Sequence, residues 1–359
     1  KAMHKGMSCM FKLLSRKNFK ALYEIGDDAP SIFFEMWYST SESRIRTRAK
    51  ELARALFDRL EEHVLSKDAE SLPEDEARDA FFEAMFILRC TAEMELETHR
   101  LAQRADELYA QCGFRDTDLL FGVGRAELGS VSTDDWLMLL MRVLIMEYNG
   151  LLFPRRWPLR WGLRECFLEL KSHKLQAPPV DESHHEAVAT PFKHSFYLAT
   201  HVVFACSAYS GIKTDARDAP WLYRYIRKSF RFFMKMDRAK RKDPSVYVDV
   251  DGVGEVVDCL RGLGLTEASD PMVCSGTLWL LEHQRKDGSW PVWFHGVDPA
   301  DKDAEHDTYD RLHPTWVCTQ ALRDRDFRVN EKTTQAWAKH IAKILKDTRF
   351  HELDYKPDF

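Results

Sequence analysis

Gly276-Thr-Leu-Trp279-Leu-Leu-Glu-His-Gln284-Arg-Lys-Asp287-Gly288-Ser-Trp290 is the stretch on which the reading of this chain turns. An apolar helix runs into a glutamine and stops at an Asp-Gly-Ser-Trp turn. Upstream, Asp270-Pro271 places a capping carboxylate before a proline at the first helical position. Proline suits that slot because its missing N–H would have had no partner there. Thr190-Pro191, Ala219-Pro220 and His313-Pro314 repeat the arrangement, and Gly211, Gly262 and Gly264 supply left-handed stops.

These signals predict helices over about 191–209, 220–236, 251–262, 271–285, 314–325 and 331–347. Apolar spacing near 3.6 supports each, as in Trp337, Ile341, Ile344 and Leu345. The first helices of successive pairs start at Thr190, Asp251 and His313, spacings of 61 and 62 residues. Stepping back by the same interval lands on Ser132-Thr-Asp-Asp135-Trp136 and then on Ser71-Leu-Pro73-Glu74, both helix openings. Second helices start near 96, 160, 220, 271 and 331. The least regular pair lies within 1–70, where Met10–Tyr23 and Arg44–Leu65 flank an aromatic stretch, Ile32–Tyr38. The expectation is a single all-α repeat domain over 1–359 made of six helical hairpins. Such units bury their apolar faces only by stacking on one another.

Composition sets the outer bounds. Of 359 residues, 45% are hydrophobic and 12% aromatic, enough to build a core and to exclude disorder. A net charge of −5 gives no reason to expect nucleic acid. Eight scattered cysteines without a C-x-x-C pair read as reduced, in a soluble intracellular protein. No run of 18 apolar residues exists to span a membrane. The chain begins at Lys1 rather than Met, which leaves room for an upstream targeting segment.

Six antiparallel hairpins stack either as a closed ring or as an open α-solenoid. The Gly276–Trp290 motif resembles the repeat of the terpenoid cyclase and protein prenyltransferase superfamily, in which an aromatic-Leu helix ends at Gln before Gly-x-Trp. The likeness covers about 50 residues, Gly276–Leu322, and has no second clean copy. It implies an (α/α)6 toroid with an aromatic-lined cavity and a polar end. The activities of that superfamily do not carry over with it. Asp249-Val-Asp251-Gly252 lacks the last carboxylate of the Asp-x-Asp-Asp run of class II terpene cyclases. The Asp-x-Cys pair of the prenyltransferase zinc site is absent, although Asp310, His313 and Cys318 lie close together.

In such a ring the first helices line the inside and their N-termini gather at one end. Aligning the pairs by their starts sets Thr190, Asp251 and His313 in one tier, with His194 opposite Glu255 one turn on. Asp251 and Glu255 share a face at i,i+4. Imidazoles with carboxylates suit zinc or iron. The leading expectation is therefore a metal-dependent enzyme acting on a small, largely apolar molecule, its metal polarising an oxygen or activating water or dioxygen. Candidate ligands are His194, Asp251, His313 and His306. Glu255, Asp251 and Asp310 are candidate acid–base residues, and His201, Tyr309 and Trp316 candidate substrate contacts.

Plainer roles stand beside these. Asp251 can simply cap its helix, His313 can be a turn residue, and His194 can be a hydrogen-bonded core residue. Cys206, Cys259 and Cys318 can be packing thiols. Two other functions remain open: a metal-free terpenoid-type cyclase or lyase, and a non-catalytic helical-repeat scaffold. The basic helix Arg224–Lys242 would dock an anionic surface in the scaffold case, or be a solvated outer helix.

Overall fold

A computed structural model describes residues 1–67, 71–112, 131–159, 161–171, 173–179, 186–243, 246, 248–291, 308–328 and 331–352. The described residues form 14 α-helices and no strand, apart from one isolated bridge between Thr40 and Arg325. They are α1 Ala2–Leu14, α2 Lys20–Glu24, α3 Ser31–Ser39, α4 Ser43–Ser66, α5 Glu74–Glu93, α6 His99–Cys112 and α7 Thr133–Leu152. The chain continues through α8 Leu163–Leu170, α9 Glu186–Ser207, α10 Pro220–Lys240, α11 Val250–Gly262, α12 Pro271–His283, α13 Thr308–Ala321 and α14 Lys332–Asp347. No described helix is long and apolar enough to cross a membrane. All eight cysteines are free thiols.

Several helix starts are written locally. Ser132 and Asp135 form a reciprocal capping box at α7. Asp249 accepts from Gly252 N at 3.0 Å to cap α11, and Asp270 accepts from Met272 N at 2.7 Å to cap α12. Two expected starts are corrected. Pro191 and Pro314 lie inside α9 and α13, which begin upstream at Glu186 and Thr308. A proline removes one N–H and crowds the carbonyl four residues back, but residues before it can still be helical. The first pair is also redrawn: α1 starts at Ala2, and the stretch Ile32–Tyr38 is itself helical.

Packing runs from each first helix to the next: α5 on α7, α7 on α9, α9 on α11, and α11 on α13. Helix α13 packs in turn on α1 and α3, and α3 on α5. The quoted motif helps to tie the two ends of the chain together. Gln284 Nε2 donates to Gly288 O at 3.1 Å and to Ala2 O, on α1, at 3.0 Å. Trp290 Nε1 donates to Leu280 O at 2.8 Å, and its backbone N donates to Thr315 on α13 at 3.3 Å. Gly288 is left-handed (φ 97°), and a Cβ there would stand 2.3 Å from Lys5 O. Only glycine fits that turn.

The sixth pair departs from the expected hairpin. Helix α14 packs on α7 and α8, its Trp337 donating to Ala205 O at 3.2 Å. The segment after α13 crosses to reach it. On the way Arg323 Nε donates to Ser39 Oγ at 2.8 Å, and Arg328 N donates to Gly211 O at 2.8 Å.

Candidate active site

A cavity of about 360 Å³ lies between the first helices. Helix α9 contributes Lys193, Tyr197, His201 and Phe204, and α11 contributes Asp251, Glu255 and Asp258. Helix α13 contributes Tyr309, His313, Trp316, Val317 and Gln320. Asp134, Leu137, Met138 and Met141 come from α7, Phe86 from α5, and Glu35 from α3. The repeated three- and four-residue steps mark one face of each helix. Asp251 pairs with His313 near the start of α13, and Asp258 pairs with Arg323 and Arg325 just past its end. Helices α11 and α13 are therefore parallel. The seven residues from Asp251 to Asp258 span about 10 Å of cavity wall.

The acidic end is built around Asp251. Its Oδ1 lies 3.1 Å from His313 Nδ1, close enough to pair but out of line for a hydrogen bond. Its Oδ2 accepts from the Tyr197 hydroxyl at 2.7 Å. The same hydroxyl lies 3.3 Å from Asp249. Thr200 bonds Glu255 and donates to Tyr197 O at 2.8 Å. A hydroxyl has one proton, so a protonated Glu255 satisfies both contacts by donating to Thr200. His201 Nδ1 donates to Tyr197 O at 2.7 Å, which leaves its Nε2 with the lone pair. The Tyr309 ring stacks on His313 at 5.1 Å, and its hydroxyl donates to Asp28 at 3.2 Å. Trp316 meets His313 edge-on at 5.4 Å.

Burial and charge divide the proton-holding groups. Burial raises Glu255 well above the ordinary carboxyl range, with Asp251 adding to the effect. Burial raises Asp249 and Asp28 as well. Burial also opposes charge on His313, but Asp251, with Asp28 and Glu255 behind it, overrides this and raises the imidazole to about 9. Burial works against ionised Asp251 too, and the charge of His313 overrides it, so Asp251 ends lowered. His201 is lowered by burial to about 4 and stays neutral. One ion pair thus sits among carboxyls that resist ionisation, a chemically poised arrangement.

The other end is fixed by arginine. Asp258 pairs with Arg325 and lies 3.7 Å from Arg323; burial opposes its charge, but these cations hold it low. Arg89 is fully buried beneath four rings, at 4.8 Å from Tyr148 and 4.9 Å from Tyr209. Ala208, Tyr209 and Ser210 are all left-handed (φ 48°, 55° and 66°), a strained turn that sets Tyr209 against Phe204 on the cavity wall.

Of the sequence candidates, Asp251, Glu255, His313, His201, Tyr309 and Trp316 meet in this cavity. His194 does not line it; it faces α7, with Nε2 3.2 Å from Asp134. The tier alignment assumed that α9 starts at Thr190, whereas Phe192 and Phe196 are buried and turn Tyr197 and His201 inward. His306 lies outside the described residues, as does the side chain of Asp310. Cys318 is buried with its thiol toward Val250 O at 3.7 Å, a packing role. Arg227 of the basic helix pairs with Asp270. Tyr197, Thr200, Asp28 and Glu35 were missed. Only Tyr197 had a signal, standing four residues before His201 on the same face.

Among the described residues no group of three or more His, Cys, Asp or Glu side chains has a geometry that could hold a metal ion. Comparison of the chain with family models, curated proteins and solved structures gives no match.

Proposed function

We propose that this protein is an acid–base enzyme of the cyclase or lyase type that protonates a small, largely apolar molecule held among its first helices. One observation carries the reading: three carboxyls, Asp249, Asp251 and Glu255, share one buried wall with an imidazolium, facing Leu137, Met138, Phe204 and Trp316. Protonating an alkene carbon requires an acid kept out of water. Glu255 and Asp249 keep their protons by burial. The carboxylate left on Glu255 after transfer is favoured by the His313 imidazolium, which Asp251 holds charged, and the carbocation gives up a proton from another carbon to that carboxylate as the product alkene forms. The three carboxyls titrate as one set.

The resemblance to the terpenoid cyclase superfamily points the same way. Asp249-Val-Asp251-Gly252 keeps two carboxyls of the Asp-x-Asp-Asp run, and Glu255, one turn on, adds a third to the wall. We also infer that the inner helices close into a toroid-like ring. The order α3, α5, α7, α9, α11, α13 and back to α3 supports closure, with α14 displaced from the regular (α/α)6 plan. The metal-dependent reading lacks an assembled ligand set among the described residues.

The test is incubation with linear isoprenoid alkenes and alcohols in D2O, with and without a chelator. Product carrying one deuterium, formed equally with chelator and lost in Asp251→Asn, is expected. Activity that needs a metal, or product without solvent deuterium, would contradict the proposal.

A further inference from the structure

At the far end of the cavity Glu35 Oε1 and Gln320 Nε2 are both buried and lie near each other, close enough for the amide to favour the Glu35 carboxylate, but neither atom has the distance and angle of a formed hydrogen bond with any described residue. The two residues are 3% and 5% exposed, on α3 and α13, and both line the cavity. Their other atoms do not explain them. Gln320 Oε1 accepts from Arg323 at 2.9 Å, and Asp258 beside them is committed to Arg325. Leaving a buried donor and a buried acceptor without hydrogen bonds is unfavourable. Such orphans in a cavity wall are what a bound polar group satisfies.

We propose that Glu35 and Gln320 form a hydroxyl-binding subsite at the floor of the cavity. A hydroxyl oxygen can accept from Gln320 Nε2 while its proton is donated to Glu35 Oε1; an apolar terminus satisfies neither. A cavity of 360 Å³ holds about 12 non-hydrogen atoms at ~30 Å³ each. The ligand class is then a medium-length apolar alcohol. That such an alcohol is also the substrate rests on the acid–base reading, and its hydroxyl would lie about 10 Å from the atom that receives the proton. The subsite itself does not depend on that reading.

The experiment measures binding of three chains of equal length, decanol, methyl nonyl ether and undecane, to the purified protein by titration calorimetry. Decanol is expected to bind about tenfold tighter than undecane, with the ether between them because it accepts but cannot donate. In Glu35→Leu and in Gln320→Leu the preference should fall to twofold or less; Glu35→Gln, which keeps shape and polarity, guards against a folding artefact and should retain part of it. In Asp251→Asn the preference should persist even though product formation is lost, which separates this proposal from the acid–base one. Equal binding of decanol and undecane by the unaltered protein, failure of all three to bind, or an undiminished preference in both leucine variants would overturn the subsite.

Discussion

Asp251 and Asp258 stand seven residues apart on one face of α11, both buried, both lining the same cavity, and both lowered by a cationic partner. The partners differ. Asp251 faces one imidazole, whose ordinary value lies near neutral and which the pairing raises to about 9; Asp258 faces two guanidinium groups, which stay charged through neutral pH even though burial lowers Arg325 to about 9. The same side chain on the same helix therefore belongs to a titratable ion pair at one end and to a fixed charge cluster at the other. Residue type alone does not separate the two roles; the neighbour across the cavity does.

Substitutions at the two positions should diverge. Asp251→Asn keeps the size of the side chain but removes the charge that supports His313, and product formation in the deuterium assay should fall by ~10³-fold or more, given that charged catalytic groups carry effects of that order. Asp258→Ala should leave Arg323 and Arg325 buried without compensation and cost about 3–5 kcal/mol in a denaturant melt. Equal effects on activity and stability at both positions would break the comparison.

A pH series sharpens it. The folded His313 titrates near 9, above its ordinary value of 6.5. Its stabilising contribution is complete below about pH 6.5 and is lost as pH rises through about 9, a change of up to about 3 kcal/mol. His313→Ala should abolish this alkaline step. Arg325, lowered to about 9 by burial and by Arg323, changes its contribution in the opposite direction and only above that pH. An unchanged alkaline slope in His313→Ala would show that another group produces it.

The smallest expected effect lies in the motif turn. Gly288→Ala forces a left-handed residue against Lys5 O and should cost about 1–3 kcal/mol, read as a lowered midpoint in the same melt. Activity per folded molecule should be unaltered, since the turn ties α12 to α1 and does not line the cavity.

The sequence made the acidic end partly legible and the arginine end hardly at all. Asp251 and Glu255 sit in a capped, periodic helix whose start was readable, whereas His313 lines the cavity although its helix begins five residues earlier than the proline signal suggests. The register of α9 did not follow, because Pro191 reads as a start although α9 begins at Glu186. At the other end the pairings join Asp258 to Arg325, 67 residues away, and Ser39 to Arg323, 284 residues away. Such pairings leave no local pattern. Glu35 lies in an aromatic stretch that reads as a separator, and only the helical setting of Ile32–Tyr38 turns its carboxyl toward the cavity. The displacement of α14 was equally hidden, since its amphipathic spacing says that it packs but not on which neighbour.

Titration of the His313 imidazole by nuclear magnetic resonance, in the unaltered protein and in Asp251→Asn, tests the acidic set without a substrate. The arrangement predicts a pKa near 9 that drops to the ordinary histidine range or below once Asp251 loses its charge. A His313 that titrates near 6.5 in both proteins would mean that the two side chains do not form the pair on which the proton chemistry depends.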